Sequence, residues 1–254
     1  MLQQTQASRV EPAFQRFLRR FPTLAALAQA SRADVVREWR GLGYNRRAVA
    51  LSEAARGVVR DHGGRIPAEP EDLIRLPGVG PYTAAAVASL AYGKAVPAVD
   101  ANVRRIVARA ELGVEAHEAP EGRIQQIAAG WLDRTDPSAW NQALMDLGRE
   151  ICRPKPRCSA CPLKGSCLFH SANRIPGSNP RRQKPFPGSF RQLRGQVLDV
   201  LREKPATVGR LSRATGRPPD RVAQALVTLQ KDGLVRASAG ALVGNPRGRA
   251  ALCE

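Results

Sequence analysis

Acidic residues are scarce in this chain, with 22 Asp and Glu against 40 Lys and Arg in 254 residues, a formal net charge of +18. That imbalance asks for a polyanionic partner, nucleic acid first. Long apolar runs are missing too. No stretch approaches the ~18–20 uninterrupted apolar residues of a spanning helix, which excludes a bilayer-crossing segment, and the N-terminus lacks the basic-then-apolar layout of a signal peptide. The expectation is a soluble, cytoplasmic, nucleoid-associated protein with no membrane partner. Aromatics are only 5% of residues, yet 43% are hydrophobic, largely Ala, Leu and Val, so disorder is excluded for most of the chain. Cysteine is sparse and odd in number: five in all, four of them between Cys152 and Cys167. A secreted disulfide framework is thereby excluded, and the clustering says metal.

What is present is helical periodicity. From Ala7 to about Ala172 apolar residues recur at three and four, as in Val10, Phe14, Phe17 and Leu18, with Gly and Pro between the periodic stretches. Strand-like alternation is nearly absent, so the fold class expected is all-α, with about ten short helices before position 172. Leu168–Leu198 holds six basic residues, including Arg181, Arg182 and Lys184, four prolines and no acidic residue. Its middle reads as an exposed basic linker, because so few apolar residues cannot offset the entropy of ordering it. Beyond it, helices are expected over Phe190–Glu203, Val208–Thr215 and Asp220–Asp232, then a β-hairpin over Leu234–Val243 turning at Ala239-Gly240. This pattern resembles a winged-helix module, either a second DNA contact through Asp220–Asp232 or a packing appendage. The domain boundaries expected are 1–169, a linker at 170–188, and 189–254.

Three local features carry chemistry. The first is the turn Pro77-Gly78-Val79-Gly80-Pro81 between helical stretches Glu71–Leu76 and Tyr82–Tyr92. Gly78 and Gly80 allow a tight reversal with positive φ, and Pro81 suits the first position of a helix. Backbone N–H groups at such a helix N-terminus can seat a phosphate without side-chain charge, although the same string also suits an ordinary helical corner. The second is Asp100, delivered by the extended run Ala95–Val99 to the start of a helix over Ala101–Ala110. Aspartate is a favoured N-cap, and a carboxylate fixed there can also face a developing positive charge. The third is Cys152-x5-Cys158-x2-Cys161-x5-Cys167, four soft ligands whose spacing alone does not separate a tetrahedral zinc from a [4Fe–4S] cluster. Cys253 reads as an unrelated free thiol.

Taken together, the glycine hairpin, Asp100 and the four-cysteine loop resemble the helix-hairpin-helix DNA glycosylases that carry an iron–sulfur cluster. The strings Met1–Gln6, Gly41-Leu-Gly-Tyr-Asn45, Leu76–Thr83, Val99-Asp-Ala-Asn-Val103 and Asn141–Gly148 are most similar to the MutY-type adenine glycosylases. The resemblance implies a monofunctional enzyme, a monomer acting on double-stranded DNA that carries an A·8-oxoguanine or A·G mismatch. It implies that Gln4 and Thr5 wedge into the duplex at the oxidised guanine, that Leu42 and Tyr44 probe the same lesion, and that Gly78, Val79 and Gly80 meet the DNA backbone. Asp100 becomes the catalytic carboxylate, Asn102 its partner, and Asp146 an acidic group near the adenine pocket. Tyr82 stands where lyase-type relatives have a Schiff-base lysine, so base hydrolysis without efficient strand cleavage is expected. Cys152, Cys158, Cys161 and Cys167 would hold a [4Fe–4S] cluster.

Three departures from the family pattern carry expectations of their own. The family's general-acid Glu falls just before the stretch that begins here at Met1, so slow adenine release is expected of the chain as numbered; Glu11, on an ordinary amphipathic helix, is a poor substitute. The first cysteine gap is five residues rather than six, which requires a tighter loop. Winged-helix-like sequence stands where many members carry a Nudix-like domain. The competing readings are a thymine glycosylase acting on G·T mismatches, favoured by the tyrosine at the hairpin, and an iron–sulfur DNA-binding protein with impaired catalysis.

Overall fold

Short capped helices build the chain, and the computed structural model describes residues 1–3, 5–177 and 185–254. α1 (Ala7–Arg20) turns Val10, Ala13 and Phe17 inward. α2 (Leu24–Gln29) and α3 (Arg32–Glu38) start at Thr23 and Ser31, whose hydroxyls accept from the Ala26 and Asp34 amides. α4 (Arg46–Asp61) follows. Then come α5 (Pro70–Leu73), α6 (Pro81–Tyr92), α7 (Ala101–Leu112), α8 (Glu121–Trp131), α9 (Pro137–Glu150), a 3-10 turn at Cys158–Ala160 and α10 (Leu168–Ser171). The last stretch holds α11 (Phe190–Glu203), β1 (Ala206–Thr207), α12 (Val208–Thr215), α13 (Pro219–Lys231), β2 (Val235–Ala237), α14 (Ala239–Leu242) and β3 (Arg249–Leu252). The all-α expectation for the first part holds, and α11, α12 and α13 lie where three helices were expected.

The expected hairpin over Leu234–Val243 is corrected. Ala239-Gly240 is not a strand turn but the start of α14, because the Ser238 hydroxyl caps it by accepting from the Ala241 amide. The partner strand is deferred to Arg249–Leu252, paired antiparallel with β2 (Val235↔Leu252) and with β1 (Ala206↔Ala250), giving the order β1-β3-β2. Gly248 permits the close return, since a Cβ there would lie 2.3 Å from the Ala241 nitrogen.

The described residues form two compact units, Met1–Arg65 with Gln183–Glu254, and Ile66–Arg182. This division joins the C-terminal module to the first four helices, whereas composition put a boundary between them. The physical reason is a shared core. Val35, Val36, Trp39 and Leu42 belong to one buried cluster with Leu198, Leu201, Leu229 and Val235. The second unit has two small cores, one of Val103, Val107, Ile124 and Leu144 among α7, α8 and α9, the other of Leu73, Ala84 and Ala88 under the α5–α6 turn. The basic residues Arg181, Arg182 and Lys184 of the expected linker lie outside the described residues.

Candidate active site

Asp100 is the N-cap of α7, and both of its carboxylate oxygens are occupied. Oδ1 accepts from the backbone amides of Asn102 (2.8 Å) and Val103 (2.7 Å), and Oδ2 accepts from the Asn102 side-chain amide (2.8 Å). The capping role expected of Asp100 is therefore present, and three donors hold the carboxylate in one orientation. Its placement depends on buried Asn141 in α9. That side chain accepts from the Ala98 amide (2.8 Å) and donates to the Val96 carbonyl (3.0 Å), the Pro137 carbonyl and the Ser89 hydroxyl. A single buried amide thus fixes the extended run that delivers Asp100 to its helix. Leaving any of its partners unsatisfied would cost about 1–3 kcal/mol.

Asn102 is held in turn by Arg105, whose guanidinium donates to the Asn102 Oδ1 (2.9 Å), the Gly148 carbonyl (2.7 Å) and the Cys152 carbonyl (2.6 Å). A continuous polar chain therefore runs from the Asp100 carboxylate to the first cysteine of the loop. Gly148 makes the crossing of α7 and α9 feasible, because a Cβ there would stand 2.6 Å from that of Asn102. Tyr82, at the start of α6, faces the same region. Its hydroxyl lies 3.8 Å from the Met145 sulfur, and burial, then the Asp100 charge, pushes its pKa above the usual phenol value. Asp146 sits on α9 among polar neighbours, accepting from Gln142 (3.2 Å) and pairing with Arg149 (3.0 Å).

In the hairpin, Gly78 has φ +77°, a left-handed conformation that glycine adopts without penalty. Gly80 differs: its backbone is extended, and a Cβ there would meet nothing within 4 Å. Its bareness leaves open space in front of the α6 N-terminus, with no side-chain cap closing it. Val79, expected at the DNA backbone, packs its side chain against the hairpin core while its amide donates to the Leu76 carbonyl (3.1 Å).

The four cysteines are free thiols, and all four line one cavity together with Arg109 and Phe169. Arg109 is 3% exposed; it donates to the Arg153 carbonyl (2.8 Å), pairs with Glu115 (2.8 Å), approaches the Cys152 sulfur (3.8 Å) and lies over the Phe169 ring. Among the described residues no three His, Cys, Asp or Glu side chains are drawn together as metal ligands. The donor set is nevertheless of the kind that suits a thiolate-bound group, since four cysteines, none in a disulfide, line one cavity with a buried cation at its wall.

In the other unit, Thr5, Leu42 and Tyr44 are brought together by a residue that sequence reasoning passed over. Arg47 donates to the Thr5 hydroxyl (2.8 Å) and to the carbonyls of Met1 (2.9 Å), Gln3 and Leu42 (3.1 Å), and it stacks on the rings of Trp39 and Tyr44. Thr5 also donates to the Leu42 carbonyl (3.0 Å). Leu42 turns inward at 3% exposure while Tyr44 is 49% exposed at φ +44°, so Tyr44 is the side chain this loop offers outward. Gln4 lies outside the described residues. Nothing local in the sequence singles out Arg47, and only its long-range partners do.

A family model described as the HhH-GPD superfamily of base excision DNA repair proteins matches residues 1–131, more than half of the chain. The chain belongs to that superfamily. Residues 182–241 match the DprA winged helix domain, in line with the winged-helix pattern of the C-terminal module. An adenine DNA glycosylase of Mycolicibacterium smegmatis is 41% identical over 242 residues, covering 94% of this chain and 82% of the relative. Another, from Mycobacterium tuberculosis, is 43% identical over 92% of this chain and 79% of its own length. Human adenine DNA glycosylase is 41% identical over 66% of this chain and 31% of that relative. Among solved structures, a thermostable thymine-DNA glycosylase matches 67% of this chain and 80% of its own with a TM-score of 0.63 and 30% identity. An endonuclease III–DNA complex, at 22% identity and a TM-score of 0.59, shares the fold. Among the described residues no helix is long and apolar enough to cross a membrane.

Proposed function

We propose that this HhH-GPD protein is an adenine DNA glycosylase that hydrolyses adenine out of duplex DNA opposite 8-oxoguanine or guanine, as a monomer. The observation that carries the chemistry is the Asp100 carboxylate, fixed at the N-terminus of α7 by two backbone amides and Asn102. A base inside a duplex must be flipped out before its glycosidic bond can be reached. Breaking that bond builds positive charge on the sugar, as in glycoside hydrolysis, and a preorganised anion stabilises it without reorganisation in the transition state. Asp100 supplies that anion. Tyr82 walls the same region as a neutral phenol, and having no amine it forms no imine with the sugar, which favours base release without strand cleavage.

The open N-terminus of α6 at Gly80 gives a phosphate room to approach backbone amides, while Thr5 and Tyr44, tied together through Arg47, face the base opposite the adenine. Cys152, Cys158, Cys161 and Cys167 would hold a [4Fe–4S] cluster, which would supply a rigid cross-link for the segment 152–167.

The test is single-turnover base release from A·8-oxoguanine, A·G and G·T duplexes, with Asp100→Asn alongside. Adenine release from the first two is expected, slow but above the uncatalysed rate, with a fall of ~10²-fold or more in the variant and duplex affinity kept, since the swap keeps a capping oxygen but removes the charge. The thymine-DNA glycosylase likeness makes G·T the informative third arm. Thymine release without adenine release would overturn the adenine assignment, and an active Asp100→Asn would reduce Asp100 to a helix cap.

A further inference from the structure

The loop Gly41–Asn45 is conformationally costly. Gly41 (φ +84°), Gly43 (φ +68°) and Tyr44 (φ +44°) all lie in the left-handed region, which a tyrosine adopts only where its surroundings over-determine it. Arg47 holds this loop from one side. From the other side it is held by the C-terminal module. Arg202 of α11, with its side chain 5% exposed, donates through Nη2 to the Asn45 Oδ1 (2.8 Å) and through Nε to the Val36 carbonyl (3.1 Å), while Nη1 pairs with Asp199 (2.6 Å). Asn45 occupies the N-cap position of α4 yet makes no side-chain cap. Its oxygen is committed to Arg202. Two ion pairs flank this bond, Arg40 with Glu203 and Arg46 with Asp232, and the backbone of Arg202 accepts from Arg37 (3.3 Å). Apart from the Asp199 pair within α11, each of these contacts joins residues 36–46 to the winged-helix module.

We propose that the winged-helix module serves lesion recognition from behind, with Arg202 a positioning residue that locks Asn45 and so presents Tyr44 in its strained outward conformation. This rests on the reading of Tyr44 as the side chain that meets the base opposite the adenine. A buried guanidinium with every arm engaged is a rigid fork. By fixing the residue after Tyr44 it removes loop freedom that binding would otherwise have to take away, and preorganisation of that kind appears as affinity and as rate for the cognate lesion. The module thereby influences specificity without touching DNA through Arg202.

Two measurements on the whole protein test this, with Asn45→Ala and Asn45→Asp as the main variants and Arg202→Met as a third. Asn45→Ala removes only the acceptor, so the core around Arg202 stays intact even if Arg202→Met fails to fold. Asn45→Asp keeps an oxygen for the guanidinium. The first measurement is amide hydrogen exchange in the free protein. Exchange of the 41–45 amides should rise about tenfold in Asn45→Ala, return toward wild type in Asn45→Asp and leave α7 unchanged. The second is single-turnover adenine release, which should fall about tenfold or more opposite 8-oxoguanine and distinctly less opposite guanine. Unchanged loop exchange in Asn45→Ala, or equal losses on both duplexes, would overturn the positioning role. A wild-type protein that releases no adenine would defeat the glycosylase reading instead, and the exchange data would still decide the role of Arg202.

Discussion

At the residue scale the candidate site is set by which groups are held and by what. Tyr82 offers a direct check. Burial and the Asp100 charge raise its pKa, so in the window just above the ordinary tyrosine value the unfolded chain gives up this proton first. The stability tied to the neutral phenol is complete below that value and is lost as pH rises through the raised one. Ultraviolet titration of the folded protein, which has three tyrosines, should show a component ionising above the usual range that disappears in Tyr82→Phe; an identical titration in the variant would place that component elsewhere. Asp100 as a helix cap and the grouping of the four cysteines were legible because cap chemistry and ligand spacing are local patterns, whereas Asn102 entered only through the family resemblance. Arg47, Arg105, Asn141 and Arg202 were not. Their partners lie far away in sequence, at Thr5, Cys152, Ala98 and Asn45, and an arginine on a helix looks the same whether its fork ends in water or in a carbonyl.

Elements show the same contrast between local and distant causes. Helices α11 and α12 could be read to the residue because a capping Ser189 or Thr207, each accepting an amide hydrogen, opens each one before a clean apolar stripe. The hairpin beyond them misled because Ser238, which looks like a turn residue, caps a helical turn instead. Two glycines make opposite predictions. Gly148→Ala improves intrinsic helix propensity by about 1 kcal/mol, but a methyl 2.6 Å from the Asn102 Cβ must force α7 and α9 apart. Overpacking of ~1–3 kcal/mol outweighs that gain, so the melting temperature should drop. An unchanged or higher Tm would show that the crossing yields freely. Gly78→Val should instead leave the helices in place and weaken duplex binding, because a β-branched residue at φ +77° carries about 1–3 kcal/mol of strain in the turn. Fluorescence anisotropy with a mismatched duplex measures that loss; wild-type affinity would mean the turn does not seat the backbone.

On the scale of the whole molecule, charge and metal decide what can be measured. Excess positive charge of +18 favours any duplex whatever its sequence and makes binding fall as salt rises. The cysteine segment 152–167 has no helix of its own beyond a 3-10 turn, and Arg109 ties it to α7 by donating to the Arg153 and Pro154 carbonyls. Anaerobically purified protein should carry about four irons per chain, and their removal should unfold that segment, detectable as new protease cleavage within 152–167. One zinc per chain with full order would replace the cluster by a tetrahedral site.

The crossing at Gly148 also has a bearing on heredity. Glycine codons begin with two guanines, and adenine left opposite an oxidised guanine turns guanine into thymine at the next replication. At codon 148 those changes write valine, cysteine, tryptophan or a stop, and each of the three amino acids brings the Cβ that Asn102 leaves no room for. A lineage that loses the proposed repair therefore accelerates the very class of mutation that closes this position, and it finds the way back harder than the way out.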